Sequence, residues 1–250
     1  MGELNGLYAI WYREIKVFLR EQSRIVGALI QPLLWLVAFG TGLGSVVSIS
    51  GTNYQTFIYP GILAMTILFG CVFYGMYIIL DKRVDFLKEV LVAPLNRTTI
   101  FFGKVLGGAT DGMIQIIVLM ILGSLFFGIH FTVFSVAVTF IVIMLLMISI
   151  ISVGLTIGAW MSSPEGFGLI SSFLIFPLFL LSGALYPTNN LPVWLHAFVA
   201  VNPVSYAVDA LRGAILGING FGLPLDFAVL VVFAIIMVII GTESFKRMKV

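Results

Sequence analysis

Charged side chains are scarce in this chain. Only 10% of its 250 residues are Asp, Glu, Lys or Arg, whereas 60% are hydrophobic, and the mean hydropathy is +1.15. A soluble domain of this length needs a charged surface that so few ionisable residues cannot cover. The formal net charge of +2 is also too small to indicate a nucleic-acid partner. The composition therefore excludes a soluble protein and predicts one that lies in lipid.

Motifs that carry chemistry are missing as well. The Gly103-Lys104 pair lacks the earlier glycine and the following hydroxyl residue of a phosphate-binding loop, so we expect any ATPase site to lie on another chain. The two histidines, His130 and His196, are far apart, and neither a His-Glu-x-x-His nor a Gly-x-Ser-x-Gly motif occurs. The single cysteine, Cys71, cannot form an internal disulfide. We expect no catalytic residue, metal site or cofactor in this chain.

Long apolar stretches fill most of the sequence. A helix that crosses the hydrocarbon core of a bilayer needs about 20 apolar residues. Six stretches meet this requirement: 25–43, 57–80, 103–127, 133–160, 169–186 and 223–242. They predict an all-α polytopic membrane protein with six transmembrane helices in a single domain, 1–250. The third stretch carries Lys104 and Asp111 in its first part, so we expect its helix to emerge into the cytoplasm there.

The residues before the first stretch have an amphipathic pattern. Within 1–24, aromatic and aliphatic residues recur at helical spacing, and the opposite face carries four basic residues: Arg13, Lys16, Arg20 and Arg24. Such a helix suits the plane of a membrane surface, although a surface helix of a soluble domain can show the same pattern. We expect an interfacial helix over 1–24 because a predicted span follows directly.

Two connections differ from ordinary loops. The connection 81–97 is highly charged and predicts a short amphipathic helix that ends at Pro94. The connection 187–222 is semi-apolar and rich in proline and aromatic residues, but each of its pieces is too short to cross a bilayer. We expect short re-entrant helices there, with backbone groups satisfied by neighbouring protein.

The placement of basic residues predicts the orientation. Of the 13 Lys and Arg residues, 12 lie before the first span, between Lys82 and Lys104, or after the last span. Loops rich in Lys and Arg stay on the cytoplasmic side of a membrane. We therefore expect both termini and the 81–97 connection to be cytoplasmic, and the 187–222 connection to be extracellular.

Three polar residues within the predicted spans are candidates for a transport path. An ionisable group in hydrocarbon costs several kcal/mol unless it faces protein or a wet cavity, which makes Asp111 the main candidate. Gln31 precedes a proline in the first span, and Gln115 lies one turn beyond Asp111. Each of the three can line a path or hold helices together, and the sequence leaves both roles open.

Two segments resemble a known family. The first lies after the second span and comprises Phe86, Leu87, Lys88, Glu89, Leu91, Pro94, Arg97, Gly103 and Lys104. The second lies around and after the fifth span and includes Phe176, Pro177, Ser182, Gly183, Tyr186, Pro187, Pro192, Asn202, Pro203, Tyr206, Asp209 and Arg212. Both segments are similar to the membrane subunits of type-2 ABC exporters, particularly the drug-resistance and lipo-oligosaccharide export permeases.

This resemblance implies a permease that exports its substrate with ATP hydrolysed on separate cytoplasmic subunits, where ATP and Mg²⁺ bind. It also implies a second permease chain, identical or different, in the cell membrane. The residues from Phe86 to Arg97 are then the region that couples to the ATPase, and the second segment forms the extracellular re-entrant turns. An apolar pathway suits drugs, lipids and lipid-linked glycans, so we expect a lipophilic or amphipathic substrate without a narrower assignment.

Other functions fit the sequence less well. An ion-coupled secondary transporter or channel is expected to have several buried ionisable residues, broken helices or an internal repeat. Asp111 is the one plausible buried acid, and the two halves show no convincing repeat. A membrane enzyme lacks a catalytic constellation. A membrane anchor or assembly factor remains compatible with the sequence, and a neighbouring gene for a soluble ATPase would discriminate between it and an exporter.

Overall fold

Helices account for almost all of the described chain. The computed structural model describes residues 2–44, 48–49, 52–84, 95–188 and 191–248. Its helices are α1 (Glu3–Arg20), α2 (Gln22–Gly44), α3 (Tyr54–Phe73), α4 (Met76–Arg83), α5 (Arg97–Phe127), α6 (Val133–Trp160), α7 (Pro164–Leu180), α8 (Val193–Val201), α9 (Pro203–Leu216) and α10 (Leu223–Arg247). A short antiparallel ladder joins β1 (Ser48–Ile49) to β2 (Thr52–Asn53).

Several helix ends follow local sequence signals. Thr132 and Ser135 form a reciprocal capping box at the start of α6, and the side chain of Asn202 caps α9. Gly128 and Gly217 follow α5 and α9 with φ of 63° and 71°. Glycine adopts this left-handed conformation without the steric penalty of a Cβ. The bounds of these helices are therefore encoded locally.

Within the described residues, five helical segments are long and apolar enough to cross a membrane: Ile25–Gly44, Tyr54–Arg83, Arg97–Phe127, Val133–Trp160 and Leu223–Arg247. They cover five of the predicted spans. The predicted all-helical fold class is confirmed, apart from the short β1–β2 ladder. For the predicted span 169–186 the structure has α7, which is 17 residues long and ends at Leu180. A sixth span therefore stays a prediction.

The central element of the bundle is α6, which contacts α3, α4, α5, α7, α9 and α10. Its buried face is aliphatic and includes Val142, Leu146, Ile150 and Leu155. The hydroxyl groups of Ser149, Ser152 and Thr156 donate to carbonyl oxygens one turn earlier, so these three groups are satisfied in apolar surroundings. The core of the protein is built around this helix.

The junction between α3 and α4 meets α6 at the level of the backbone. A Cβ added at Gly154 would collide with the carbonyl of Val72, and one added at Gly158 with the carbonyl of Gly75. Gly75 in turn lies against the backbone of Gly154. Small residues one turn apart permit this close helix approach, which is a common packing mode in membranes.

A helix is present where the interfacial helix is predicted: α1 packs along α5, and its position at a membrane surface stays a prediction. Its inward face has residues spaced by four: Gly6, Ile10, Glu14 and Phe18. An apolar face that includes Leu4, Tyr8, Tyr12 and Leu19 stays exposed beside Lys16 and Arg20. The sequence pattern predicted two faces, apolar and basic, whereas the helix has a third face that is covered by α5.

Candidate functional site

Four charged side chains meet between α1, α4 and the first turns of α5. Lys104 of α5 is 2% exposed, and its Nζ lies 2.7 Å from Glu14 Oε1 of α1. The same amine donates to Asp81 Oδ2 of α4. Arg13 donates to Glu14 Oε1 at 2.8 Å and to Asp81 Oδ1 at 2.9 Å. We call this group the ion cluster; its two cations balance its two carboxylates, as buried charges require.

Small residues on α5 explain why Glu14 can reach Lys104. An added Cβ at Gly103 would meet the side chain of Ile10, and one at Gly107 would meet that of Glu14. Because these two glycines lie one turn apart on one face of α5, they form a shallow groove that accepts α1. The close approach of the two helices places the carboxylate of Glu14 against the amine of Lys104.

The surroundings of Glu14 keep it charged. Burial alone would raise the pKa of Glu14, but the charge and hydrogen bond of Lys104, the hydroxyl of Tyr74 and the charge of Arg13 outweigh it, so this pKa lies below its ordinary value. Burial also opposes the charge of Arg13, and the adjacent Asp81 and Glu14 carboxylates more than compensate and raise the pKa of Arg13. Both side chains are therefore ionised at neutral pH.

Two tyrosines connect α1 to a cavity. The hydroxyl of Tyr74 donates to Glu14 Oε2 at 2.7 Å, and that of Tyr77 donates to Glu21 Oε2 at 3.2 Å. Both tyrosines also line a cavity of about 320 Å³ between α2, α3, α4 and α5. Most of the remaining wall is apolar or aromatic, and none of the described residues that line it is charged.

The structure brings two of the three predicted path residues together at this cavity. Gln31, exposed on α2, and Gln115, buried on α5, both line it. Asp111 is 3% exposed and borders a separate space of about 10 Å³ that shares Gln115, Thr66 and Gly70 with the cavity. Asp111 therefore lies behind the cavity wall.

At the opposite end of the bundle, two charged residues of the predicted re-entrant segment bind backbone groups. The carboxylate of Asp209 accepts hydrogen bonds from the N–H groups of Gly220 and Phe221 at 2.8–3.0 Å. Arg212 donates to the carbonyl of Gly183 at 3.0 Å, and its guanidinium lies 4.0 Å from the ring centroid of Phe57. These contacts fasten α9 to the turn before α10 and to the turn after α7.

The other predicted residues of this segment shape the chain around α8 and α9. Asn202 donates to the carbonyl of Leu178, Tyr206 to that of Ala200, and Ser182 to that of Phe179. Gly183 adopts a φ of 73°. The prolines mark element starts or turns: Pro187 lies in the turn after α7, Pro192 precedes α8, and Pro203 opens α9. All of these residues lie apart from the ion cluster.

The family of this chain follows from its sequence match. Residues 5–216 match the family described as ABC-2 type transporter. The chain belongs to the ABC-2 type transporter family. Membership confirms the resemblance to type-2 ABC permeases, and together with the five long apolar helices it indicates a multi-pass membrane protein of the transport permease type.

Named relatives of this ABC-2 chain agree with that assignment. It is 30% identical to the inner membrane transport permease YadH of Escherichia coli (strain K12), over 97% of this chain and 95% of YadH. It is 31% identical to the putative transport permease ycf38 of Cyanophora paradoxa, over 77% of this chain and 68% of that protein. It is 24% identical to nodulation protein J of Rhizobium leguminosarum bv. viciae, over 98% and 95% of the two chains.

Most of the predicted coupling residues of this ABC-2 chain lie outside the described part of the structure: Phe86, Leu87, Lys88, Glu89, Leu91 and Pro94. The predicted coupling helix therefore stays a prediction. Arg97, the first residue of α5, is described, and its Nη1 lies 3.3, 2.8 and 2.7 Å from the carbonyl oxygens of Phe245, Lys246 and Met248. In this structure Arg97 is engaged at the end of α10.

Sequence reasoning missed the ion cluster of this ABC-2 protein. Its members come from three helices, and Glu14 and Lys104 are 90 positions apart. A signal was nevertheless present: Lys104 lies between Gly103 and Gly107 in an apolar helix, and a lysine in such surroundings requires a counter-charge. Glu14 lies on the same helical face as small and apolar residues. A carboxylate on such a face is a candidate partner for the buried lysine.

Proposed function

We propose that this ABC-2 protein is the membrane-spanning subunit of an ATP-driven exporter for a lipophilic or amphipathic substrate. A separate cytoplasmic ATPase subunit binds ATP and Mg²⁺ and supplies the energy. Family membership and a sequence without a phosphate-binding loop support this division of labour. The distribution of Lys and Arg supports a location in the cell membrane with both termini and the 81–97 connection in the cytoplasm.

The observation that carries the proposal is that Tyr74 joins the ion cluster to the cavity. Its hydroxyl binds Glu14 of the ion cluster, and its side chain lines the cavity. The same cluster holds Asp81, close to the start of the predicted coupling region. Movement of α1 or of the end of α4 therefore reaches the cavity wall through direct contacts. Rigid-body movement of this kind alternates access to a path without covalent chemistry in the permease.

The lining of the cavity supports an amphipathic substrate whose inserted part is uncharged. Aromatic and methionine side chains offer apolar contact, while Gln31, Gln115 and Thr66 offer hydrogen bonds. A charged group would find no counter-ion among the described lining residues, and its desolvation would oppose binding. The volume of about 320 Å³ suits a small molecule or one part of a lipid.

Exposed apolar surfaces support two proposed contacts of this chain, one with a second permease chain and one with the membrane boundary. On α2 and α7 the exposed residues include Leu34 and Phe173, and these helices correspond to the predicted first and fifth spans that we place at the dimer interface. On α8 the exposed residues include Trp194 and Phe198. An apolar helix of nine residues is too short to span a bilayer, so we place α8 in a re-entrant position on the extracellular side.

Co-purification tests whether ATP is hydrolysed by a separate subunit. The tagged permease, solubilised in mild detergent from its own host, is expected to bring down a soluble chain that contains a phosphate-binding loop and hydrolyses ATP. Reconstituted vesicles of that complex are expected to export substrate only with ATP. A permease that never retains such a chain, and that instead moves substrate when an ion gradient is applied, would be an ion-coupled transporter.

Substrate-stimulated ATPase activity tests whether the cavity binds the substrate. For the reconstituted complex, uncharged amphiphiles are expected to stimulate ATP hydrolysis more than anionic ones of equal chain length. Gln115→Leu is expected to raise the concentration needed for half-maximal stimulation about tenfold, the effect of one hydrogen bond of about 1.4 kcal/mol. Gln55→Leu is the matched control, because Gln55 does not line this cavity. Equal shifts of this concentration in both variants would show that the cavity is not part of the transport path.

A further inference from the structure

The two ends of the predicted coupling connection are each fastened to the end of a different long helix. At one end, Lys82 Nζ lies 3.2, 2.7 and 3.3 Å from the carbonyl oxygens of Gly158, Ala159 and Met161, where α6 ends. At the other end, Arg97 Nη1 contacts three carbonyl oxygens where α10 ends. A cation near the last carbonyl groups of a helix donates hydrogen bonds to oxygens that have no partner inside the helix. It also interacts favourably with the negative end of the helix dipole.

The two capped helices form one packed unit that reaches the opposite end of the bundle. Helices α6 and α10 contact each other, and α9 packs against both of them. Asp209 fastens α9 to the turn before α10 through the backbone of 220–221, and Arg212 fastens it to the turn after α7 through Gly183. A displacement of Lys82 or Arg97 therefore has a continuous chain of contacts to α9, and such chains of packed elements can carry energetic coupling between distant sites.

We propose that Lys82 and Arg97 are positioning residues that transmit movement of the connection between them to α6 and α10, and through these helices to α9 at the opposite membrane face. This inference rests on the proposed function, since the movement comes from an ATPase subunit docked at the connection. It assigns the two cations a role inside the permease. Lys82 carries the movement to α6, and Arg97 carries it to α10.

The test uses the permease in complex with its co-purified ATPase subunit in lipid nanodiscs. Amide hydrogen exchange is measured over 203–216 with and without trapping by ATP and vanadate, alongside the ATPase rate. In the wild type, trapping is expected to change exchange in α9. In Lys82→Gln and in Arg97→Gln, ATP hydrolysis continues, but the change in the α9 exchange rate is expected to shrink about 2- to 30-fold.

Conservative and neighbouring substitutions separate transmission from a local structural role. Lys82→Arg and Arg97→Lys keep the cation, and they are expected to fold normally and to retain an intermediate response. Arg83→Gln and Lys246→Gln are matched controls, because these cations are exposed and do not cap α6 or α10. Both controls are expected to respond as the wild type does.

The outcomes distinguish this inference from the proposed function. If both glutamine variants expose the last turns of α6 or α10 to faster exchange while α9 responds as in the wild type, the caps are structural and the inference is wrong. An equal loss of response in the two controls also overturns it. A wild-type complex that shows no ATP-dependent change, or no ATPase partner at all, contradicts the proposed function itself, and the transmission role falls with it.

Discussion

Lys104 places a positive charge inside a helix bundle, and its two carboxylate partners make that charge tolerable. Its side chain is 2% exposed and lies between Glu14 and Asp81. Removal of one member of a buried ion pair leaves an uncompensated charge, which typically costs about 3–5 kcal/mol. A single change of charge within the cluster is therefore expected to destabilise the protein.

For Lys104→Met we expect a loss of about 3 kcal/mol of stability, because two carboxylates lose their closest cation and, among the described residues, Arg13 is the one cation left paired with them. Thermal unfolding of the purified protein in detergent measures this as a lower melting temperature. Lys246→Met is the control: Lys246 is 55% exposed and its nearest acid is 3.8 Å away, so its loss is expected to cost under about 0.5 kcal/mol. Similar melting temperatures for both variants would show that the cluster contributes nothing to stability.

The lowered pKa of Glu14 predicts a loss of stability in acid. A carboxylate whose pKa is lower in the folded state contributes stability above its unfolded pKa of about 4.3, and this contribution disappears as the pH falls through the folded pKa. Glu14→Gln is expected to melt below the wild type at pH 7, and the difference is expected to narrow below about pH 4. Melting curves between pH 7 and pH 3 check this; a difference that does not depend on pH would contradict it.

At the scale of helices, the contact of the α3–α4 junction with α6 depends on glycine. In Gly154→Ala the new methyl group meets the carbonyl of Val72, a backbone atom that cannot rotate away. We expect a loss of about 1–3 kcal/mol, in the range of overpacked cores, again measured as a melting temperature. Gly168→Ala in α7 is the control because nothing lies within 4 Å of its added Cβ. Equal effects of the two changes would contradict a close helix contact at Gly154.

The turn between α9 and α10 depends on Asp209. In Asp209→Ala the N–H groups of Gly220 and Phe221 lose their charged acceptor, and a hydrogen bond to a charged group contributes about 1.5–3 kcal/mol. Amide exchange over 217–222 is expected to accelerate, with Asp209→Asn showing an intermediate effect because it keeps one acceptor oxygen. Glu243→Ala, which removes an exposed acid, serves as the control. Unchanged exchange in Asp209→Ala would show that the turn is held by other contacts.

At the scale of the whole molecule, the proposed pairing of two permease chains can be tested at the exposed apolar faces. Single cysteines at Leu34 on α2 or Phe173 on α7, in a Cys71→Ala background, are expected to cross-link two chains in membranes, since both positions are exposed. Ile239 on α10 is 62% exposed, and a pairing through α2 and α7 leaves it facing lipid, so a chain with a cysteine there is expected to remain without a cross-link. Equal cross-linking at Ile239 would place the second chain elsewhere.

Much of the fold could be predicted from the sequence because helices in lipid satisfy their backbone groups within one segment. The stretch 133–160 coincides with α6, and 223–242 begins where α10 begins. The break between α3 and α4 was not predictable in this way. It lies within a continuous apolar run without a proline at the break, and its position at residues 74–75 coincides with the backbone contact between Gly75 and α6.

The sequence by itself determined that this chain lies in lipid, is built of long helices and resembles type-2 ABC permeases, because composition, periodicity and motifs are local properties. The tertiary structure decided which polar residues act together. Gln31 and Gln115 meet at a cavity, Arg97 reaches the end of α10, and Glu14 meets Lys104. Each of these contacts joins residues that are distant in the chain, and their partners are set by how the helices pack rather than by any local pattern.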